Sequence, residues 1–536
     1  MTAVASPADA PRQTSSAAIP GVNPWLVALV VSMATFMEVL DTSIANVSLP
    51  HIAGGLSATV DEATWVLTSY LVANAVVLPA SGWLSTVFGR KRFYMTCVAL
   101  FTISSLLCGM ATSLPMLIFF RVLQGMGGGG LAPSEQSILA DTFAPRQRGM
   151  AFALYGIAVV VAPAVGPTLG GWITDNFTWR WIFFINVPVG ILSLVLSDLV
   201  VRDPPELTAQ RHRRLKAGFK IDYIGFGLIA LGLGCLQVVL DKGQEEDWFS
   251  SPFITAFAIA SAFGLIVGSI WELRVEQPVV DLPMFKDRTF GIANLVMFAI
   301  GFILFGSTVA LPLFMQQMLG YTAKLAGLAI TPGGFAVMAL MPLVGFLVGR
   351  VQAKYLVVFG LVVSALALWH MTGFDLQVNF STMVWARIFQ AAGLAFLFVP
   401  INTAAYALIP PEKSNNASAL LNLARNLGGS VGISVAQTLL ARRTQFHQAR
   451  LVNHVSVFSP AATRMLAGLS RALSPHTAFE ATRKAQGMLF NIVQRQASML
   501  AYIDVFLVLA IASAVMIPVV LLMKSNKPGQ GGGAVH

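Results

Sequence analysis

Two stretches decide how this chain is organised: "FRVLQGMGGGGLAP" at residues 120–133 and "ARIFQAAGLAFLFVP" at residues 386–400. Arg121 and Gln124 of the first align with Arg387 and Gln390 of the second, and each stretch reaches a proline 12 or 13 residues after its arginine. A polar, proline-containing turn follows each, "FAPRQRG" or "IPPEKSNN". Next comes a segment rich in small residues, "GIAVVVAPAVGPTLGG" or "NLARNLGGSVGISVA". The chain is therefore duplicated. Its repeat offset of 266 residues exceeds what six spans need, so the spacing predicts two extra helices between two six-helix halves. Repeated halves with charged residues inside apolar helices and Gly/Pro interruptions are the pattern of secondary transporters.

Composition places these halves in a bilayer. Of 536 residues, 56% are hydrophobic and 11% charged, with a mean hydropathy of +0.72, against about 25% charge in an ordinary soluble domain. Spans of about 20 apolar residues are expected at 25–46, 62–82, 92–110, 115–139, 149–171, 181–200, 221–240, 252–272, 290–316, 325–349, 354–372, 382–408, 414–441 and 500–523. That is an all-α polytopic membrane protein with fourteen transmembrane helices and both termini on one side. Its expected parts are a tail at 1–24, a first half at 25–200, a linker with two inserted helices at 201–289, a second half at 290–523 and a Gly-rich tail at 524–536. The first apolar run is full length, and no small-residue cleavage site follows it. Cys97, Cys108 and Cys235 fall inside apolar segments and read as small hydrophobes.

The distribution of positive charge orients the chain. With the N-terminus in the cytoplasm, the tails and inner loops hold 20 of the 34 Lys/Arg, including "GRKRF", "RHRRLKAGFK" and "FKDRTF". The short outer loops hold Arg180, Lys242 and Lys324. The net charge of +10 is mostly this orientation signal, and no nucleic-acid partner is needed to explain it. Residues 442–499 run against the rule with eight Lys/Arg. At that length charge ceases to govern translocation, and the expectation is a long periplasmic loop of helical periodicity, a surface cap or a docking element.

"MATFMEVLDTSIANVSLP" (33–50) carries Glu38 and Asp41, three residues apart and so on one face of a helix. An ionised acid in the middle of a span costs roughly 2.5–3.5 kcal/mol on insertion scales. Such groups persist when they pair, bind an ion or move a proton; otherwise they sit at the helix end and reach water. Arg121 needs a buried acid partner or a wet cavity. Glu135 lies about 21 Å along the same helix and is expected at the far end of the cavity or on its rim. "GMGGGG" (125–130) lacks the Gly-Lys-Ser/Thr ending of a phosphate loop. No metal-ligand spacing or nucleophile–base arrangement is found, so no cofactor is expected and the chain does not read as an enzyme.

Further motifs carry a family resemblance: "LDTSIANVSLP", "GWLSTVFGRKR", "FRVLQG", "APAVGPTLGGW", "WRWIFFINVPVG" and "LDKGQEEDWFSS", in that order over nearly the whole chain. Together they resemble the 14-helix drug:proton antiporters of the major facilitator superfamily, and within them the EmrB-type subunits of tripartite pumps. The resemblance implies proton-driven efflux of hydrophobic or amphipathic compounds by alternating access across a bacterial inner membrane. It also implies a periplasmic membrane-fusion adaptor of the EmrA type and an outer-membrane channel of the TolC type. It implies a role for Arg121 beside the proton site, near Asp41 or Glu38, so the expected proton-coupling residues are Asp41 as carrier, Glu38 as its neighbour or helper, and Arg121. Gly156, Pro163, Gly166, Pro167 and Gly170 correspond to the antiporter bend in helix 5; ordinary small-residue packing is the other reading. Gly82, Leu84, Gly89, Arg90 and Lys91 match the family's cytoplasmic loop motif, while Thr86 and Val87 replace its Asp and first Arg. Arg90 is then expected to pair with Asp141. Phe36, Asn74, Gln124, Phe305 and Gln316 are the expected cavity residues. A narrower exporter of fatty acids, a siderophore or a metabolite uses the same scaffold, and a non-pumping receptor or channel is the alternative of another class.

Overall fold

The computed structural model describes residues 23–203, 208, 222–407, 409–410, 413–456, 458–473 and 478–524. The expected N-terminal tail, most of the "RHRRLKAGFK" linker and the Gly-rich C-terminal tail lie outside these residues.

The chain is built from helices, and polar side chains mark where many of them begin. Asn23 accepts the Trp25 amide at 3.0 Å to open α1 (Pro24–Val47), with Pro24 at the first turn, where no amide is needed. Two short helices, α2 (Leu49–Gly55) and α3 (Val60–Ala63), follow, the second opened by a Thr59/Glu62 capping box. Then come α4 (Trp65–Phe88), α5 (Arg90–Met110), α6 (Leu114–Thr142), α7 (Arg148–Asn176), α8 (Trp181–Phe184) and α9 (Asn186–Val200). The inserted pair is α10 (Tyr223–Lys242) and α11 (Pro252–Glu272). Its two helices meet on small residues, with Ser261 Oγ donating to the Gly232 carbonyl at 2.9 Å. Asp287 caps α12 (Arg288–Gln317), Thr322 caps α13 (Ala323–Val348) and Asn379 caps α15 (Phe380–Tyr406), with α14 (Ala353–Met371) between the last two. The described chain closes with α16 (Ser414–Val452), α17 (Pro460–Ala472) and α18 (Ala478–Leu521).

The duplication is visible in the packing. In the first half α1 packs on α7 and α9, α4 and α5 on α6, and α5 on α9. In the second half α12 packs on α16 and α18, α13 and α14 on α15, and α14 on α18, which is the same pattern shifted by one repeat. The halves meet reciprocally, α7 against α13 and α4 against α16. Helix α10 lies along that second seam, against both α4 and α16. Large apolar side chains such as Leu29, Ile103, Phe119, Phe263, Phe335 and Trp385 face outward, while Arg121, Glu135, Gln136, Gln390 and Asn422 are fully buried. That inversion of a soluble protein's surface suits a bilayer.

Thirteen helices among the described residues are long and apolar enough to cross a membrane. The fourteenth expected span, 414–441, lies in α16, which is not among them. Its polar residues Asn415, Asn422 and Arg425 are buried against other helices, so it needs less apolar surface. α16 also runs on to Val452, and α18 begins at Ala478. At 39 and 44 residues, both far exceed the roughly 20 needed to span. Much of the expected loop at 442–499 is thus a continuation of α16 and α18, held together by contacts such as Arg443 Nε to Asp504 Oδ2 at 2.6 Å.

Candidate functional site

Helix α1 presents Thr35, Glu38 and Asp41 at intervals of three residues, over about 9 Å of its length. Each meets different partners.

Asp41 is 2% exposed and Arg121 is 0% exposed, so the pair is sealed. Arg121 Nη1 donates to Asp41 Oδ2 at 2.6 Å and to Gln124 Oε1 at 2.8 Å, and its Nε donates to the Val66 carbonyl at 3.0 Å. The second carboxylate oxygen accepts from Gln124 Nε2 at 3.1 Å and Asn186 Nδ2 at 2.6 Å. Asn186 itself is held by Ser105 Oγ at 3.0 Å. The guanidinium lies 4.3 Å from the centroid of the Tyr70 ring. Arg121 and Gln124 share one face of α6 because they are three residues apart. The break between α8 and α9 at Ile185 leaves Asn186 at the start of a helix facing α1 and α5. A buried ion pair of this kind is held by its hydrogen bonds, and losing one partner leaves a bare charge at a cost of about 3–5 kcal/mol.

Glu38 is half-buried. Its Oε1 accepts from Tyr70 OH at 3.3 Å and Asn74 Nδ2 at 3.2 Å, and Asn74 Oδ1 accepts from Asn426 Nδ2 of α16 at 3.3 Å. Glu38 is therefore linked to the opposite half, whereas Asp41 is enclosed within its own. Glu135 is not on an exposed rim. It is fully buried and accepts a hydrogen bond from Thr35.

At the end of the bundle expected in the cytoplasm, Arg90 is buried and pairs with Asp141, and its Nη1 also donates to the Ser137 carbonyl at 3.2 Å. Ser414 of the second half donates to Asp141 at 3.4 Å. Gly89, at φ 90° between α4 and α5, adopts a backbone that favours glycine, and Arg90 begins the helix immediately after it. A Cβ on Gly82 would lie 2.6 Å from Asn416 Oδ1, so glycine there lets α4 touch α16. The same end is closed by Asn422 Nδ2 donating to Gln136 Oε1 at 2.9 Å and by two stacked pairs, Phe152 with Tyr406 and Tyr155 with Phe398.

Helix α7 stays continuous through Pro163 and Pro167 and packs on both α1 and α13. Pro167 cannot donate to the Pro163 carbonyl, and Ser43 Oγ donates to it instead at 3.4 Å. Gly166 and Gly170 face Ser43 and Ile44 of α1, while Gly156 faces Met341 of α13. The five expected cavity residues meet different partners. Gln124 belongs to the Asp41 network, Asn74 to the Glu38 link, Phe36 packs with Leu40 and Ile44, Phe305 packs on Gly429, and Gln316 is exposed at the end of α12.

The family model of the Major Facilitator Superfamily matches residues 31–433. The chain belongs to this superfamily. Among its major facilitator relatives, the multidrug export protein EmrB of Escherichia coli strain K12 is 36% identical over 521 residues, 96% of this chain and 98% of that protein. EmrB of Haemophilus influenzae is 40% identical over 81% of this chain and 84% of its own length. The fatty acid resistance protein FarB of Neisseria gonorrhoeae is 36% identical over 95% and 97%. The fold is shared with the proton:xylose symporter XylE, at a TM-score of 0.60 and 15% identity over 95% of this chain and 97% of that one. The protein is thus a multi-pass inner-membrane transporter of the EmrB type.

Within this major facilitator site, the sequence reading passed over Tyr70, Asn186 and Asn426. Asn186 carried a signal, since an asparagine inside "FFINVPVG" is a buried polar group in need of a partner. Tyr70 carried none, because a tyrosine in a span is ordinary.

Proposed function

We propose that the protein exports hydrophobic or amphipathic compounds by alternating access, driven by protons moving inward through the Asp41–Arg121–Glu38 region. The observation that carries this reading is the sealed 2.6 Å pair of Asp41 and Arg121. Protonating Asp41 removes its charge, frees the guanidinium and changes what the first half can hold. Glu38 then senses the approach of the second half through Asn74 and Asn426. The Arg90–Asp141 pair and the Gly/Pro face of α7 act as closure and hinge, and substrate binds between the halves near the midplane. The long α16–α18 arm with its amphipathic α17 is the docking element for a periplasmic adaptor, which an outer-membrane channel completes. The names of the EmrB relatives support the export reading.

A narrower range, for anionic amphiphiles such as fatty acids, is favoured by FarB and by one buried cation. Arg387 of α15 donates to Gln390 Oε1 at 2.7 Å and, among the described residues, forms no ion pair with an acid. Purified protein in liposomes distinguishes these readings. Accumulation of a lipophilic dye against its gradient under an imposed pH difference supports the exporter. Equilibration alone supports a receptor or channel, and accumulation of fatty acids but no cationic dye supports the narrower range.

A further inference from the structure

Glu135 is an acid that the Asp41–Glu38 account does not use. It sits on α6 with 0% exposure; its Oε2 accepts from Thr35 of α1 and, among the described residues, its buried Oε1 has no partner. Among the described residues, the ionisable groups that interact with it are Glu38 on α1, Tyr94 on α5 and Tyr155 on α7, none of them cationic. Arg425 on α16 interacts with Glu38 and Tyr155 instead. An isolated carboxylate in such a place is far costlier than a neutral acid, so the site suits a carboxyl group with its proton on the unpartnered oxygen.

The next residue in the chain gives the site its switch. Gln136 Oε1 accepts from Asn422 Nδ2 of the opposite half at 2.9 Å, and Ser414 to Asp141 lies beyond it on the same helix. These contacts must part for the expected cytoplasmic end to open, and water then reaches the turn of α6 that carries Glu135. We propose that Glu135 is a second proton-binding site, occupied while Gln136 and Asn422 are joined and emptied toward the cytoplasm when they separate. It lies nearest that end in a line of groups on and beside α1: Asp41, Glu38, then Thr35 with Glu135. The proton leaves as hydronium to the opened side and leaves a carboxylate in contact with water.

This proposal rests on the proton-driven reading above, and one experiment separates them. Full-length protein in liposomes, with membrane potential clamped by potassium and valinomycin, is given a pH difference of about one unit, and steady-state accumulation of tetraphenylphosphonium is measured. Each coupled proton contributes about tenfold per pH unit, so Glu135→Gln should accumulate about tenfold less than wild type while exchanging the probe without a gradient at the wild-type rate. Equal accumulation by wild type and Glu135→Gln overturns the second site and leaves the exporter standing. A wild type that ignores the pH difference overturns both. Should Glu135→Gln fail to fold, infrared spectra of wild type and Glu135→Asp decide. A protonated-carboxyl stretch that shifts in the variant supports the site, and the absence of any such shift overturns it.

Discussion

Arg121 Nη1 bridges Asp41 Oδ2 and Gln124 Oε1, at 2.6 and 2.8 Å, while the same residue's Nε is fixed by the Val66 carbonyl of α4. One side chain therefore ties α1, α4 and α6 together at the acid proposed to carry the proton. A lysine keeps the charge but lacks this fork. Arg121→Lys is expected to lower proton-driven efflux by at least about tenfold, the loss of roughly one charge-assisted hydrogen bond. Arg121→Ala is expected to destabilise the protein by about 3–5 kcal/mol. Efflux rates and thermal unfolding in detergent measure the two effects.

Asn186 holds the other oxygen of Asp41 at 2.6 Å and is positioned by Ser105. Asn186→Ala should slow gradient-driven efflux by about tenfold, the value of one hydrogen bond to a charged group. Substrate affinity should stay unchanged when measured by dye quenching. A variant that pumps at the wild-type rate would show that Arg121 and Gln124 alone position Asp41.

The Arg90–Asp141 pair and its Ser414 contact predict a charge-reversal experiment. Arg90→Asp or Asp141→Arg alone should expose cysteines introduced at Gln136 or Asn422 to membrane-impermeant reagents added from the cytoplasmic side. The double reversal should restore protection. Protection that is unchanged in the single variants would remove the pair from the closure.

Steric room at α7 is small where it meets α1. A Cβ on Gly166 would lie 2.2 Å from Ser43 Oγ, so Gly166→Ala is expected to abolish or strongly reduce transport at normal expression. The same Cβ would also lie 2.5 Å from Ser43 Cβ, so Ser43→Gly in the same chain, which removes both clashing atoms, should recover part of it.

The halves were legible in the sequence because Arg121/Gln124 and Arg387/Gln390 repeat with their prolines, and the two buried Arg–Gln contacts are nearly equal in length, 2.8 and 2.7 Å. Hydropathy located the spans that face lipid, and the expected span at 414–441 lies in α16, whose buried polar residues keep it from being as apolar as the others. The ends of α16 and α18 were out of reach, because a helix leaving the bilayer keeps its periodicity while losing its hydrophobicity. Charge within a span pointed to Asp41 and Arg121. The bonds of Glu38 to Tyr70 and Asn74, and the enclosure of Glu135, depend on helix rotation and inter-helix distance. Neither is written in a single segment.

The arm beyond the spans yields a separation of functions. Replacing α17 by a short flexible linker should leave dye transport in liposomes unchanged and abolish resistance in cells that hold the outer-membrane channel. Retained resistance would place the adaptor elsewhere on the surface.

The central claim is that Asp41 couples proton movement to export. The most direct measurement compares wild type with Asp41→Asn in liposomes, recording both dye accumulation under a pH difference and dye exchange without one. The account predicts that Asp41→Asn exchanges dye and accumulates none. An Asp41→Asn protein that still accumulates dye as wild type does would contradict it.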